Sequence, residues 1–460
     1  MSQHNMVWGP TYTEMLDPSL VPPTLLQGRP DGREHEPSAV DLFRINWRDE
    51  LGRIRVARLP PELTGVEANI LVLIGKHFPS GSHKIGPAYA MLMEAELAGE
   101  ISPGSVTLVA PSTGNFGIGA AYLARAKGYD AIVAMPEGPA TERHERIRRY
   151  GARIEFMPGA EGDLRELLQH THERYAGDPR YRVLAQFEAM ANYRFHRFVT
   201  GGSILEAASG FGDARVAAFV AAPGSAGTLA AGDEIKARFE DAVVIAVEPR
   251  ECPFLSCSRR GTHRIGGIAD GIVTLIHNVL NTDYAILVPE EDCLWGLRVI
   301  QEGPDVLTRA LGVPEGAAQS LVDLFGLSGV CNIIGAIRAA KALGIPAGRN
   351  VVTVATDGFD RYASAMAELE QSAGHIDQAI LRLRARLVFL GGEGVGLYDL
   401  RGAEEKERLH REKEAFWSAL GYPEDRLRAM RSPSYWEDEY ARVAEYDGLL
   451  RQARGAPLQG

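Results

Sequence analysis

The sequence predicts an α/β protein with two doubly wound, mostly parallel sheets, followed by a helical C-terminal extension. From residue 69 to residue 368, short apolar runs alternate with segments of helical length. Such alternation is typical of parallel strands whose sheet is covered by helices on both faces. The runs are too many for one sheet of ordinary width, so we expect two sheets in series.

The start of the chain differs from the body in its composition. Its first sixty residues carry repeated prolines that interrupt any long helix, namely Pro18, Pro22, Pro23, Pro30 and Pro37. We therefore expect residues 1–60 to wrap around a core that is built elsewhere. The full length of 460 residues leaves room for two or three domains.

Strand candidates divide the body of the chain into two parts. Residues 61–205 are expected to form a first α/β domain, with apolar runs at 70–74, 105–110, 130–136, 153–158 and 182–187. Residues 206–368 are expected to form a second, with runs at 215–223, 242–249, 284–290 and 350–358.

The C-terminal extension, residues 369–460, is highly charged and mostly helical in pattern. Its large aromatic residues nevertheless include Trp417, Tyr435, Trp436 and Tyr440. In a free tail these rings would leave much apolar surface in water. We therefore expect the extension to pack on the body or on a second subunit.

Charge and composition exclude several function classes. The formal net charge is −11, whereas general binding of nucleic acid needs a basic patch. The sequence shows no signal-peptide pattern and no apolar stretch of membrane-spanning length. The four cysteines lack paired C-x-x-C spacing, so neither a disulfide framework nor a metal site is predicted. We expect a soluble cytoplasmic protein.

Three loops, each between a predicted strand and a predicted helix, carry the candidate site. The first, PSGSHKIGP at residues 79–87, contains Lys84 among small residues. A lysine at a helix N-terminus is mildly unfavourable, because the helix dipole favours anions there. Most lysines are solvated surface charges, so Lys84 alone does not mark a site. The other two loops matter because doubly wound sheets bind ligands where their strands end.

The second loop, APSTGNFGIGAA at residues 110–121, presents hydroxyl and amide groups beside free backbone N–H groups at a helix start. Such donors suit a carboxylate. The loop also resembles a degraded dinucleotide fingerprint, Gly117-x-Gly119, with Glu137 after the next strand. A nicotinamide-dependent oxidoreductase therefore stays open as an alternative, although it leaves Lys84 unexplained.

The third loop, AAPGSAGT at residues 221–228, places small residues before a helix. Backbone N–H groups at such a position, beside the hydroxyl of Thr228, suit a phosphate dianion. The loop is not a Walker A motif, because no Gly-Lys-Ser/Thr follows. A lysine, a carboxylate loop and a phosphate loop in one two-domain chain indicate pyridoxal phosphate held as a Schiff base.

The order of these motifs resembles that of the fold type II pyridoxal-phosphate enzymes, the group of cysteine synthase, cystathionine β-synthase, threonine dehydratase and the tryptophan synthase β chain. The resemblance includes SGSHKIG, PSTGNFG, AQFEAMAN, PGSAGT, HRIGGIADG and VVTVATDGFDRYASAM. It implies pyridoxal 5'-phosphate as the cofactor, bound in the cleft between the two sheets, and an amino acid as the substrate. It also implies a homodimer, since relatives are commonly dimers.

The resemblance assigns roles by position. Lys84 matches the Schiff-base lysine, which also removes the substrate α-proton. Asn115 matches the asparagine beside the 3′ oxygen of the cofactor. A set of residues matches those that grip the substrate carboxylate, namely Ser112, Thr113, Gly114, Asn115 and Gln186. Another set matches the phosphate loop, namely Gly224, Ser225, Ala226, Gly227 and Thr228.

Three positions depart from the family pattern. The phosphate loop has Ser225 and Ala226 where relatives usually have more glycines, and Phe116 stands where cysteine synthases have threonine. The position that contacts the pyridine nitrogen falls on Asp357, or on Thr356 if the alignment slips by one. An aspartate there would keep the ring protonated. Asp-Gly after a strand is also a common turn, which is the alternative interpretation of Asp357.

The resemblance implies an enzyme that acts on an amino acid with a leaving group at the β carbon, through an aminoacrylate intermediate. We expect β-replacement, as in cysteine synthase. The alternative is a β-elimination lyase or dehydratase that releases a keto acid and ammonia. A pseudoenzyme or partner-binding protein that keeps only the fold is a further alternative, and intact Lys84 and Asn115 argue against it.

Overall fold

The computed structural model describes residues 6–27, 36–112, 114–137, 141–159, 164–392 and 396–455. The strands are β1 (Val56–Arg58), β2 (Asn69–Ile74), β3 (Thr107–Pro111), β4 (Asp130–Met135), β5 (Arg153–Phe156), β6 (Tyr181–Val183), β7 (Val216–Ala221), β8 (Val243–Pro249), β9 (Tyr284–Val288), β10 (Asn350–Ala355) and β11 (Tyr398–Asp399).

The α-helices are α1 (Tyr12–Leu16), α2 (Pro61–Thr64), α3 (Ile85–Leu97), α4 (Asn115–Lys127), α5 (Thr141–Arg149), α6 (Arg165–Tyr175), α7 (Met190–Phe195), α8 (Gly201–Ser209), α9 (Ala230–Arg238), α10 (Phe254–Cys257), α11 (Glu290–Gln301), α12 (Pro304–Leu311), α13 (Glu315–Leu321), α14 (Leu327–Leu343), α15 (Ala363–Ala373), α16 (Gln378–Ala385), α17 (Ala403–Ala419), α18 (Glu424–Ala429) and α19 (Pro433–Gly455). Short 3-10 helices are Pro18–Leu20, Pro23–Leu26, Ala39–Arg44, Gly75–His77, Val279–Asn281 and Phe359–Arg361, and π-helical segments are His196–Thr200 and Arg386–Leu390.

The strands form two sheets, which confirms the predicted fold class. The larger sheet has seven strands in the order β1-β2-β10-β7-β8-β9-β11, and the smaller has four in the order β5-β4-β3-β6. All neighbours in the smaller sheet are parallel, and in the larger sheet only the edge strands β1 and β11 pair antiparallel. Each predicted apolar run overlaps one of these strands.

Strand β2 belongs to the larger sheet, although it precedes the smaller sheet in the chain. It pairs in parallel with β10, with Val72 opposite Thr353 and Ile74 opposite Ala355. Its six residues are all buried, as expected for a parallel strand that is covered on both faces. The expected first α/β segment, residues 61–205, thus contributes strands to both sheets, and no single point of the chain divides the two.

The C-terminal extension packs on the body. Trp417 and Trp436 lie in the same apolar cluster as Val109 and Ile132 of the smaller sheet. Helix α19 also contacts the start of the chain, because Asp447 accepts a hydrogen bond of 2.7 Å from the backbone N–H of Tyr12. Among the described residues, no helix combines the length and apolar character that a membrane span requires.

Candidate active site

The candidate site lies where strands of both sheets end. The loops after β2, β3, β7 and β10 bring Lys84, Ser112, Ser225 and Thr356 to the lining of one cavity. Ligands of doubly wound sheets bind at this edge, beyond the carboxyl ends of the strands. The sequence-predicted residues that line the cavity are Lys84, Ser112, Gly114, Asn115, Gln186, Ser225 and Thr356.

The remaining predicted residues have other positions. Gly224 and Ala226 line a small neighbouring cavity. Gly227, Thr228 and Asp357 line neither of these two cavities. Thr113 lies outside the described residues.

Lys84 immediately precedes helix α3, and its amine reaches the cavity. Its Nζ lies 3.5 Å from Oε1 of Gln186. Burial lowers the pKa of the Lys84 amine to about 8, and the nearby carboxylate of Asp270 partly opposes this shift. A lowered pKa increases the fraction of neutral amine near neutral pH, which is the form that acts as a nucleophile or a base.

Sequence reasoning did not single out three polar residues of the lining, which are Arg143, Asp270 and Ser328. Asp270 lies in the glycine-rich stretch HRIGGIADG, and it is only 6% exposed. A buried acidic residue in a glycine-rich segment is a usable signal, because buried carboxylates need a partner. The burial of Asp270 could not be predicted from the sequence, because no strand or helix pattern shows that this irregular segment is buried.

Ser112 organises the start of helix α4. Its Oγ accepts hydrogen bonds of 3.1 Å from the backbone N–H groups of Gly114 and Gly117. These two donors are therefore not free for a ligand, contrary to the expectation that the loop presents free N–H groups. The hydroxyl hydrogen of Ser112 stays available, because a serine oxygen accepts and donates at the same time.

Asn115 is held by two charged residues. Its Nδ2 donates to Oδ2 of Asp357 at 2.7 Å, and its Oδ1 accepts from Nη1 of Arg361 at 2.5 Å. The hydroxyl of Tyr362 donates to the same Asp357 oxygen at 2.9 Å. Asp357 is fully buried, so this carboxylate orients the amide of Asn115 instead of lining the cavity.

Two hydroxyl groups lie near the end of β10. Thr356 and Ser328 both line the cavity, and their hydroxyl oxygens are 2.9 Å apart, within hydrogen-bond distance. Thr356 and Asp357 are the two candidates for the contact with the pyridine nitrogen. The structure places Thr356 in the cavity lining and does not place Asp357 there. The contact itself stays a prediction.

The loop at 224–228 is tightly packed. A Cβ at Gly224 would lie 2.2 Å from the carbonyl oxygen of Gly267, and one at Gly227 would lie 2.2 Å from Oδ1 of Asn192. Asn192 also donates to Oγ of Ser225 at 3.0 Å. Any side chain at either glycine would therefore displace the loop itself.

Ala226 shows why relatives favour glycine in this loop. Its φ is +62°, in the left-handed region that costs a residue with a Cβ about 1–2 kcal/mol. We expect Ala226→Gly to raise the free energy of unfolding of the protein without cofactor by up to about 1 kcal/mol, since the flexibility of glycine offsets part of the relief. Urea unfolding measures this change. Ala222→Gly, at a position without positive φ, is the control, and a larger gain there would contradict the strain argument.

The residues of the site fit pyridoxal phosphate. The set comprises a buried amine, a loop too tight for side chains at Gly224 and Gly227, and donors for a carboxylate. Both ring nitrogens of His83 and Oδ1 of Asn192 are buried without a hydrogen-bond partner among the described residues. Such atoms need an explanation, and a group bound in the cavity supplies one, because His83 precedes Lys84 and Asn192 donates to Ser225.

Comparisons with known proteins agree with this fit. The family model of pyridoxal-phosphate dependent enzymes matches residues 50–306. A cysteine synthase from Staphylococcus aureus (strain Mu50) is 31% identical over 318 residues, which cover 68% of this chain and 94% of that protein. A probable cysteine synthase from Bacillus subtilis (strain 168) is 33% identical over 318 residues, or 68% of this chain and 92% of that protein.

A solved structure shares the fold. The crystal structure of cysteine synthase from Entamoeba histolytica superposes with a TM-score of 0.59 at 21% identity, covering 73% of this chain and 92% of that chain. The chain therefore belongs to the pyridoxal-phosphate dependent enzyme family, and it is a cysteine synthase-like enzyme whose cofactor is pyridoxal 5'-phosphate.

Proposed function

We propose that the enzyme catalyses β-replacement on an amino acid that carries a leaving group at its β carbon. The observation that carries the proposal is the shared lining of one cavity by Lys84, the carboxylate loop and Ser225. The cysteine synthase names of two relatives at 31% and 33% identity support the reaction class. In this reaction the α-proton and the β substituent leave the substrate, and a nucleophile then adds at the β carbon while a proton returns to the α carbon.

The charge at the reacting carbon needs a partner. Bound pyridoxal 5'-phosphate supplies an electron sink for the negative charge that develops at the α carbon. We assign two roles to Lys84. Its amine binds the cofactor covalently, and once that amine is released it accepts the α-proton of the substrate. The lowered pKa of Lys84, about 8, supports the second role, because a base works best when its pKa is near the working pH.

The other side chains position the two ligands. We assign Ser112, Thr113, Gly114, Asn115 and Gln186 to the substrate carboxylate, and residues 224–228 to the cofactor phosphate. Asn115 is also assigned to the 3′ oxygen of the cofactor. Its Nδ2 has a second hydrogen for this contact, because the first is bound to Asp357.

We assign the contact with the ring nitrogen to Thr356, which shares the cavity lining with Ser328. Thr356→Val is therefore expected to slow the exchange of substrate α-deuterium by roughly five- to tenfold, because one hydrogen bond is worth about 1 kcal/mol. Asp357→Asn keeps the shape of the buried side chain and is expected to have the smaller effect. Mass spectrometry of the recovered substrate gives both rates.

A matched control comes from β10, the strand that immediately precedes Thr356. Thr353 is buried and donates to the carbonyl of Val220 at 2.5 Å, outside the cavity lining. Thr353→Val should leave the exchange rate within twofold of the parent. If Asp357→Asn slows exchange more than Thr356→Val does, the assignment of the ring-nitrogen contact to Thr356 is wrong.

One experiment separates the proposed reaction from its alternative. The enzyme is titrated with a panel of β-substituted amino acids, followed by absorbance, with and without sulfide as the nucleophile. β-Replacement predicts a new amino acid whose yield depends on sulfide. A β-elimination lyase would release a keto acid and ammonia at a rate that sulfide does not change, and this result would overturn the proposal.

We also propose that the protein is a homodimer in the cytoplasm. Light scattering of the purified protein measures the molar mass directly. A mass equal to that of one chain, 50.0 kDa, would contradict the dimer.

A further inference from the structure

We propose that helix α17 of the C-terminal extension supports the phosphate site, and that Lys413 and Trp417 are positioning residues for the loop at 224–228. The inference rests on the proposed role of that loop. Helix α17 spans Ala403–Ala419, well beyond the region of the chain that matches the family model, 50–306. Residues 273–282, which we call the bridging segment, connect α17 with the loop at 224–228 through hydrogen bonds.

On one side, α17 binds the backbone of the bridging segment. Nε1 of Trp417 donates to the carbonyl oxygen of Val273 at 2.9 Å. Nζ of Lys413 donates to the carbonyl oxygens of Leu275 at 3.2 Å and His277 at 2.5 Å.

A third side chain of α17 extends this contact. Nζ of Lys406 donates to the carbonyl oxygens of Val279 and Thr282, both at 2.5 Å. Positions 406, 413 and 417 share one face of a helix, because seven residues make nearly two turns and four make about one. One face of α17 thus contacts the whole length of the bridging segment.

These contacts are buried and specific. The side chains of Lys413 and Trp417 are both fully buried. A buried ammonium group is costly unless polar atoms surround it, and here backbone carbonyls do so. The lysine therefore favours one arrangement of the bridging segment, the one in which the carbonyls of Leu275 and His277 converge.

On the other side, the bridging segment binds the active-site loops. Oγ1 of Thr274 donates to the carbonyl oxygen of Ser225 at 2.8 Å. The backbone N–H of Leu275 donates to the carbonyl oxygen of Phe187 at 3.0 Å. Ser225 and Phe187 both line the cavity. Thr274 lies between Val273 and Leu275, whose carbonyl oxygens accept hydrogen bonds from Trp417 and Lys413. The side chain of Thr274 in turn donates to the loop at 224–228.

The bridging segment is mostly irregular. Its residues 273–278 contain no helix or strand and Val279–Asn281 form a 3-10 helix, so its position depends on side-chain partners. These partners are the side chains of α17 and others such as Asp233, which accepts a hydrogen bond of 2.8 Å from Nδ2 of Asn278. Because Thr274 contacts Ser225 directly, a shift of the segment moves the phosphate loop. The affinity of the loop at 224–228 for a phosphate group should therefore depend on α17, whereas the reaction of the Lys84 amine with an aldehyde should not.

The test compares two ligands that differ by one phosphate. Full-length protein freed of cofactor is titrated with pyridoxal 5'-phosphate and with pyridoxal, and the ratio of the two affinities measures the phosphate grip. We expect this ratio to fall about tenfold in Trp417→Phe and in Lys413→Met. Global loss of stability lowers both affinities together, so it leaves the ratio unchanged.

A matched tryptophan serves as the control. Trp436 is also buried, and its Nε1 donates to the carbonyl oxygen of Met430 at 2.9 Å, within the extension itself. Trp436→Phe removes the same kind of hydrogen bond but none to the bridging segment, and it keeps an aromatic ring beside Nζ of Lys413, which lies 5.3 Å from the centroid of the Trp436 ring. The ratio should therefore stay within twofold of the parent. A ratio that falls equally in Trp436→Phe would overturn the inference.

A second variant removes the contact between the bridging segment and the loop at 224–228. Thr274→Val removes the hydrogen bond to Ser225, and it should lower the ratio as Trp417→Phe does, with little further loss when both are combined. If the parent grips the phosphate and neither Thr274→Val nor the α17 variants change the ratio, this inference alone is wrong. A parent that binds the two ligands equally would overturn the proposed phosphate loop as well.

Discussion

Lys84→Ala is expected to abolish both turnover and the visible absorbance of lysine-bound cofactor, while the protein stays folded. Among the described residues that line the cavity, Lys84 has the one primary amine. Without that amine no covalent bond to the aldehyde forms, and the substrate α-proton loses its acceptor. The visible absorbance band of lysine-bound pyridoxal phosphate is the first measurement. Circular dichroism checks the fold.

Lys76 is the appropriate control, because it lies in the same region of the chain. Its Nζ donates to the carbonyl oxygen of Asp323 at 2.8 Å, away from the cavity lining. Lys76→Ala should keep the band and at least half of the turnover. If the band persists in Lys84→Ala and disappears in Lys76→Ala, the assignment moves to Lys76.

A chain that ends at Gly374 is expected to be insoluble or largely unfolded. The truncation removes Trp417 and Trp436, which are buried in the same cluster as the smaller sheet. Loss of a buried tryptophan side chain costs about 3–5 kcal/mol, and a whole domain is stable by only about 5–15 kcal/mol. Removing both rings, together with the further apolar burial of the helices that carry them, therefore costs most or all of that stability.

The truncation also separates charged partners. Nη2 of Arg197 lies 2.8 Å from Glu437, and Arg194 pairs with Glu439. Both arginine side chains are 3% exposed, so each would lose a carboxylate partner in a poorly solvated place. Soluble yield and thermal unfolding measure the result. A chain ending at Gly455 keeps α19 complete and is the control; if both chains unfold at the same temperature, the extension does not stabilise the body.

Much of the architecture was predictable because its elements repeat simple patterns. Buried parallel strands are continuous apolar runs, and each predicted run overlaps a strand of the structure. Partners within a sheet were not predictable, since nothing in the run at 70–74 tells that it pairs with residues 350–355. Pairing depends on how helices cover the sheets, which is a property of the whole fold.

The candidate site was predictable to the extent that its residues lie in strand-to-helix loops. Lys84, Ser112 and Ser225 follow strands and line the cavity together. Asp270 was missed because it lies in an irregular segment, where periodicity gives no information on burial. The sequence placed the ring-nitrogen contact on Asp357, with Thr356 as the alternative if the alignment slips by one residue. It could not decide between them, because a shift of one residue at the end of a strand turns the side chain to the opposite side.

The pairing of β2 with β10 has a consequence for synthesis on the ribosome. Asn69 of β2 and its hydrogen-bonded partner Asn350 are 281 residues apart in the chain. At about 5–20 residues per second, β2 waits roughly 15–60 s for its partner strand. The strands of the smaller sheet lie within 107–183, so that sheet is complete long before. During the delay the nascent chain carries an apolar strand with an open edge, and we expect it to depend on a chaperone that shields such edges.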